Sequence, residues 1–130
     1  MERIFFGLGC LSAGIGVAMG AFGAHAWKER LGPVLGATFE TAARYQLIHA
    51  LALLAVGLAL ASGRFGPQAR LVASGWLFVA GTVLFCGSLY LLSMTGSRWL
   101  GAITPLGGLC FLAGWAILAW SALSGGAPSR

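Results

Sequence analysis

The side chains that could carry chemistry concentrate in one short stretch, "ETAARYQLIHA", residues 40–50. It holds Glu40 and Arg44 four residues apart, then Tyr45, Gln46 and His49. A guanidinium binds anionic or carbonyl groups, tyrosine and glutamine orient them by hydrogen bonds, and imidazole titrates near neutral pH. This set favours recognition of a small polar group.

Helical spacing divides these residues into two groups. At about 100° per residue, Tyr45, Gln46 and His49 share one side of a helix, and Glu40 and Arg44 lie on the opposite side. A structural interpretation stays open for both groups. Glu40 and Arg44 also fit a local ion pair at a helix end, and His49 also fits an interhelical hydrogen bond.

Enzymatic chemistry finds little support in the chain. It contains no aspartate, which removes the usual ligands of metal-dependent phosphoryl transfer, and no G-x-S-x-G, P-loop, Rossmann or H-E-x-x-H motif. Cys10, Cys86 and Cys110 lack metal-ligand spacing and fall in apolar windows, where we expect buried free thiols. We therefore predict no enzyme, no metal site and no cofactor.

The elements that must position these residues are membrane helices. The chain is 58% hydrophobic and 8% charged, with a mean hydropathy of +0.88. Charge-free windows follow Arg3, Arg44, Arg70 and Arg98, and each exceeds the roughly 18 residues that cross a bilayer. We predict an all-α integral membrane protein, with one domain over 1–130. Its four helices form an up-down bundle over about 4–26, 38–61, 69–94 and 100–123, with an interfacial connection between the first two. Thr38 is the predicted N-cap of the second helix, and the fourth helix starts near residue 100 or, if Thr104 caps it, at Pro105.

The first helix also resembles a signal peptide, because "AHA" at 24–26 has the pattern of a cleavage site. Its apolar run is longer than the roughly 7–15 residues of a signal core. Gly16, Gly20 and Ala24 place small residues on one face, as helix packing requires, and Gly107 and Gly114 do the same in the fourth helix. We therefore expect the segment to be retained.

An up-down bundle brings four helix ends to the side opposite the termini. The polar residues at those ends are His25, the Arg44–His49 stretch, Tyr90 and Thr104. We predict that this polar layer forms a binding site composed of His25, Arg44, Tyr45, Gln46, His49, Tyr90 and Thr104.

The net charge of +5 comes from basic residues scattered singly through the interhelical loops. That distribution fits lipid head groups and membrane topology better than nucleic acid. Arg3, Arg64, Arg70 and Arg130 on one side balance Lys28, Arg30, Arg44 and Arg98 on the other. Placing Arg44 within the second helix favours cytoplasmic termini.

Four segments together resemble a known family: "GAFGAHA", "ATFETAARYQLIHALALLAVG", "GTVLFCGSLYLLSMTG" and "ITPLGGLCFLAGW". They are similar to the family catalogued as domain of unknown function 423, small bacterial inner-membrane proteins related to animal transmembrane protein 256. The resemblance implies four membrane helices and no established activity. The matching positions are Gly20, Gly23, His25, Phe39, Arg44, Tyr45, Gln46, His49, Tyr90, Thr104, Pro105, Gly107, Gly108 and Gly114.

Three functions are consistent with these features, and an intramembrane enzyme is the least favoured of them because the chain has no catalytic motif. The favoured one is binding, or helping to move, a small molecule, ion or lipid head group at the polar layer. The alternative is an accessory or scaffold subunit that docks a larger membrane complex through glycine-rich helix faces. Expected partners are membrane lipids, with a homo-oligomer or larger complex, since one small bundle offers little room for a translocation path.

Retention of the first helix makes a prediction about mass. The protein extracted from membranes should have the intact mass of a chain that begins at Met1 or its processed form. Intact mass spectrometry measures this directly, and a species beginning at Trp27 would show that the segment is a cleaved signal.

Overall fold

The charge-free windows form four helices. The computed structural model describes residues 1–125, and its spans are α1 (Glu2–Trp27), α2 (Glu29–Ser62), α3 (Gln68–Thr95) and α4 (Arg98–Ser124). Each is long and apolar enough to cross a membrane, so the predicted all-α membrane fold is confirmed. The tail 126–130, which includes Arg130 of the charge comparison, lies outside the described residues.

The start of α2 differs from the prediction. Thr38 is not an N-cap, because its hydroxyl donates within the helix to the carbonyl of Val34 at 3.0 Å. The helix instead resumes at Pro33, after a break at Gly32 with φ 71° and ψ 177°. Proline fits the first helical position because its fixed φ suits the helix and it has no N–H to satisfy. The interfacial connection is therefore itself a short helical turn.

The start of α4 agrees with the second of the two predicted starts. Residues Arg98–Ala102 form a 3₁₀ turn, and the α-helix proper is Thr104–Ser124 with Pro105 in its first turn. Thr104 is inside this helix and does not cap it, and its hydroxyl lies 2.7 Å from that of Ser88 on α3. The predicted start at Pro105 is therefore right to within one residue, and the predicted cap is wrong.

Two π-helical segments interrupt the spans, at Gly23–Trp27 in α1 and Thr82–Cys86 in α3. A π turn inserts an extra residue and shifts the side chains that follow it around the helix. In α3 the Thr82 hydroxyl donates to the carbonyl of Phe78 at 2.8 Å, which satisfies one group at the irregular turn. The hydropathy pattern predicts neither segment.

Glycines set how closely α1 approaches α2. A Cβ at Gly9 would lie 2.9 Å from the Ala50 carbonyl oxygen, and one at Gly16 would lie 3.0 Å from the Leu47 side chain. A Cβ at Gly23 would lie 2.6 Å from the Phe39 ring. The contact face therefore follows a spacing of seven residues, which keeps positions on one side of a helix.

The other two predicted packing positions on α1 contribute less. Gly20 has only the Ala43 Cβ at 4.0 Å, and Ala24 is exposed. Between α3 and α4 the predicted packing positions are used: Gly107 lies against the Phe85 backbone, and Gly114 lies against the Phe78 ring.

The three cysteines differ in their surroundings. Cys86 is buried in the core, Cys110 is half-buried and Cys10 is exposed. All three are free thiols, as expected. The expectation of burial is wrong for Cys10, because it lies on a face of α1 that no other described helix covers.

The glycine contacts predict opposite effects at two adjacent positions. Gly107→Ala places a Cβ against the backbone of Phe85, which cannot move aside, and should cost about 1–3 kcal/mol by overpacking. Gly108→Ala finds its nearest atom at 3.9 Å and should leave stability unchanged or raised. Reversible unfolding in detergent micelles compares the two variants, and equal stabilities would contradict the α3–α4 packing described here.

Candidate functional site

Gln46 joins three helices. Its amide nitrogen donates to the Ser12 carbonyl on α1 at 3.1 Å, and its amide oxygen accepts from the Tyr90 hydroxyl on α3 at 2.7 Å. Gln46 itself is buried. Because an unpaired polar group is costly in hydrocarbon, these bonds allow the amide to lie within the bundle.

His49 joins α2 to α4. Its Nδ1 lies 2.7 Å from the Tyr45 carbonyl, and its Nε2 lies 3.1 Å from the indole Nε1 of Trp115. A carbonyl only accepts and an indole N–H only donates, so Nδ1 carries the proton and the imidazole is neutral. The ring is 3% exposed and stacks on Phe111 with centroids 3.4 Å apart. Both ring nitrogens are therefore satisfied within the protein.

Hydroxyl groups connect α3 to α4. Thr104 and Ser88 lie 2.7 Å apart through their hydroxyl oxygens, and the Ser74 hydroxyl donates to the Gly114 carbonyl at 2.8 Å. Thr104 thus belongs to this second contact and forms no hydrogen bond with Gln46 or His49 within the described residues. Its role is consistent with interhelical packing.

The structure does not bring His25 to His49. Gly16 packs at the level of Gln46, and His25 lies nine residues further along α1. His49 lies three residues from Gln46 on α2, in the direction that leads away from His25. At about 1.5 Å of rise per residue, these nine and three residues separate the two imidazoles by roughly 18 Å along the bundle. His25 and Arg44 are both exposed. The seven predicted residues therefore do not form one common site.

Glu40 and Arg44 are separate as well. Both side chains are exposed, and no ion pair within 4.0 Å joins them in the described part of the chain. Since the two residues lie one turn apart on α2, the spacing permits a bridge that this structure does not form.

A groove of about 630 Å³ opens on the outer surface between α2 and α4. Its lining includes Tyr45 and His49 from α2, Phe111 and Trp115 from α4, and Phe85 from α3. Pro105, in the first turn of helix 104–124, lies ten residues from Trp115, which corresponds to about 15 Å of groove. Tyr45 is 39% exposed, and its hydroxyl forms no hydrogen bond among residues 1–125.

Three residues of this arrangement have no role in the sequence-based prediction. Trp115 and Phe111 contact His49, and Ser12 accepts a hydrogen bond from Gln46. The sequence does carry a signal for Trp115. This tryptophan lies in the middle of a predicted span, away from the membrane interface where tryptophans are usual, and so indicates a role inside the bundle. Ser12 contributes its backbone carbonyl, for which a sequence carries no signal.

Four apolar helices with their polar side chains bonded to one another are the mark of a multi-pass membrane protein. Comparison with known proteins agrees. Residues 19–108 match the family described as Protein of unknown function (DUF423), and the chain belongs to that family.

Similar proteins come from several bacteria. A UPF0382 membrane protein of Staphylococcus saprophyticus is 43% identical over 89% of this chain and 93% of its own length. The UPF0382 membrane protein YwdK of Bacillus subtilis is 38% identical over 93% and 97%. The UPF0382 inner membrane protein YgdD of Escherichia coli is 37% identical over 90% and 87%. No solved structure matches the chain.

These findings agree on location. The chain is a multi-pass protein of the bacterial inner membrane, with no specific activity established for its family.

The paired environment of His49 predicts a specific loss of stability. Trp115→Phe keeps an aromatic ring, although a smaller one, but leaves the His49 Nε2 unpaired, and loss of this bond should cost about 0.6–1.7 kcal/mol. His49→Ala should cost more, because it also removes the stacking on Phe111. Unfolding free energies in micelles measure both variants, with Trp99→Phe at an exposed position as the control. An unchanged stability in Trp115→Phe would argue against this bond.

Proposed function

We propose that the protein binds an amphiphilic membrane component, a lipid or a small lipophilic molecule, in the groove between α2 and α4. The observation that carries the proposal is the groove itself, with its aromatic walls and the unbonded hydroxyl of Tyr45. Ligand sites are mostly apolar clefts of roughly 300–1,000 Å³ with a few polar groups, and this groove has that character.

The buried polar groups support binding at the surface of the bundle rather than passage through it. Gln46, His49 and Tyr90 already bond to other protein groups, and the cavity of about 230 Å³ that Gln46 and Tyr90 line has mostly apolar walls. An ion or polar solute crossing the bundle would have to break these bonds and find replacements. We therefore assign the single chain a binding role without translocation, and no catalytic step.

The shape of the groove matches a molecule with one polar end. One end of the groove lies beside Pro105, close to the 3₁₀ turn that carries Arg98 and Trp99. Tryptophan and arginine are typical of the membrane interface. An apolar chain would lie along Phe111 and Trp115, and a carbonyl or hydroxyl near its head would accept a hydrogen bond from Tyr45.

A second candidate function is a scaffold, and α1 favours it. A Cβ at Gly7 or at Gly14 would meet nothing within 4 Å, so packing inside the chain does not explain these two glycines. They are seven residues apart and lie on one face of the helix, where another helix could approach closely. The predicted docking positions Gly16, Gly107 and Gly114 are, in contrast, used inside the bundle.

The groove proposal predicts which substitutions remove the ligand. Gly108→Leu fills the groove, and Tyr45→Phe removes its hydroxyl. In native mass spectrometry of protein released from membranes, Gly108→Leu should lose a co-purifying molecule that the wild type retains. Tyr45→Phe should retain roughly 2–13-fold less of this molecule, which corresponds to the loss of one hydrogen bond.

The control is Ala119→Leu, an exposed position on the same helix that does not line the groove. Melting temperatures of all variants separate loss of ligand from loss of fold. Equal retention by the wild type and by a folded Gly108→Leu would refute the groove as the site. A stoichiometric protein partner in place of a small molecule would favour the scaffold.

A further inference from the structure

A second cavity, of about 400 Å³, lies between the end of α1 and the start of α2. Its walls are small residues, among them Gly23 and Ala24 from the π turn of α1 and Gly36 and Ala37 from α2. The break at Gly32 borders it as well. Among the side chains that the structure describes, one titratable group lines it, that of Glu40.

We propose that this cavity binds an amphiphilic primary or secondary amine, with Glu40 as the counter-ion of its ammonium group. The inference is independent of the groove between α2 and α4, because the two cavities share no lining residue.

The first argument is the state of Glu40. Its side chain is exposed and forms no ion pair with any cationic group among the described side chains, Arg44 included. The carboxylate is therefore accessible to a cationic partner beside the cavity that it lines. A ligand cation would provide that partner.

The second argument is the chemistry of the lining. A space of this volume is far larger than a bare metal ion, and apart from Glu40 its walls consist of glycine, alanine and proline. An apolar body carrying one positive charge is complementary to such a cavity. No aromatic ring of the described residues lines it, so a quaternary ammonium would lack the cation–π contacts that usually hold it. An ammonium with N–H groups can instead donate charge-assisted hydrogen bonds to the carboxylate.

The third argument is Gly36. Glycine weakens a helix interior relative to alanine, and here a Cβ would meet nothing within 4 Å. Packing inside the chain therefore does not require glycine at this position. Its missing side chain leaves the cavity open beside Glu40, one turn further along the same helix.

The test measures binding of radiolabelled hexylamine to the full chain in nanodiscs of phosphatidylcholine, by equilibrium dialysis, with empty nanodiscs subtracted. We expect saturable binding. Unlabelled hexylamine should compete at least about tenfold better than hexyltrimethylammonium or hexanol, because neither competitor donates a charged N–H.

Three variants locate the site. Glu40→Gln keeps the shape but removes the charge, and should weaken binding at least about tenfold. Gly36→Leu should abolish binding by filling the cavity. Gly87→Leu is the matched control, since it adds the same side chain at a glycine with equally open space on α3, and should bind like the wild type.

Folding is monitored through Gly36→Ala, which fits without a clash and should melt at or above the wild-type temperature. Absence of saturable binding, unchanged binding in Glu40→Gln, or equal competition by hexyltrimethylammonium would each overturn the proposal.

The source of the ammonium is decided by adding phosphatidylethanolamine to the nanodiscs. If this lipid displaces hexylamine, the natural cation is a lipid head group; if it does not, the cation is a free amine.

Discussion

The requirement that polar groups inside a membrane find partners within the protein governs this structure. Gln46 meets it by bonding to α1 and α3, and His49 meets it by bonding to α4. These two residues connect α2 to each of the other three helices. The same bonds leave Gln46 and His49 with little capacity to hold a polar ligand.

The candidate binding sites are therefore the cavities beside the buried polar residues rather than those residues themselves. His49 is important to the aromatic groove as a wall that Trp115 and Phe111 hold in place. Tyr45 shares this wall, and its hydroxyl remains free among the described residues. A rigid stack of rings is a suitable surface for a lipophilic molecule, because little side-chain motion is lost on binding.

Glycine serves two distinct purposes in this chain. At Gly16 and Gly107 a side chain would collide with a neighbouring helix, so these glycines permit close packing. At Gly14 and Gly36 a side chain would meet open space. Sequence spacing does not distinguish the two kinds, because Gly16 and Gly14 belong to the same helix and differ only in which face is covered.

The sequence by itself determined the number and approximate extent of the helices. Windows without charge must be helical in lipid, and their lengths are visible in the printed chain. Only the tertiary structure decided which polar groups meet. His25 lies at the end of α1, and His49 lies in the polar stretch of α2. The depth at which α1 packs on α2 separates these two residues. The break at Gly32 and the π turn at Thr82–Cys86 likewise depend on local backbone geometry that hydropathy does not encode.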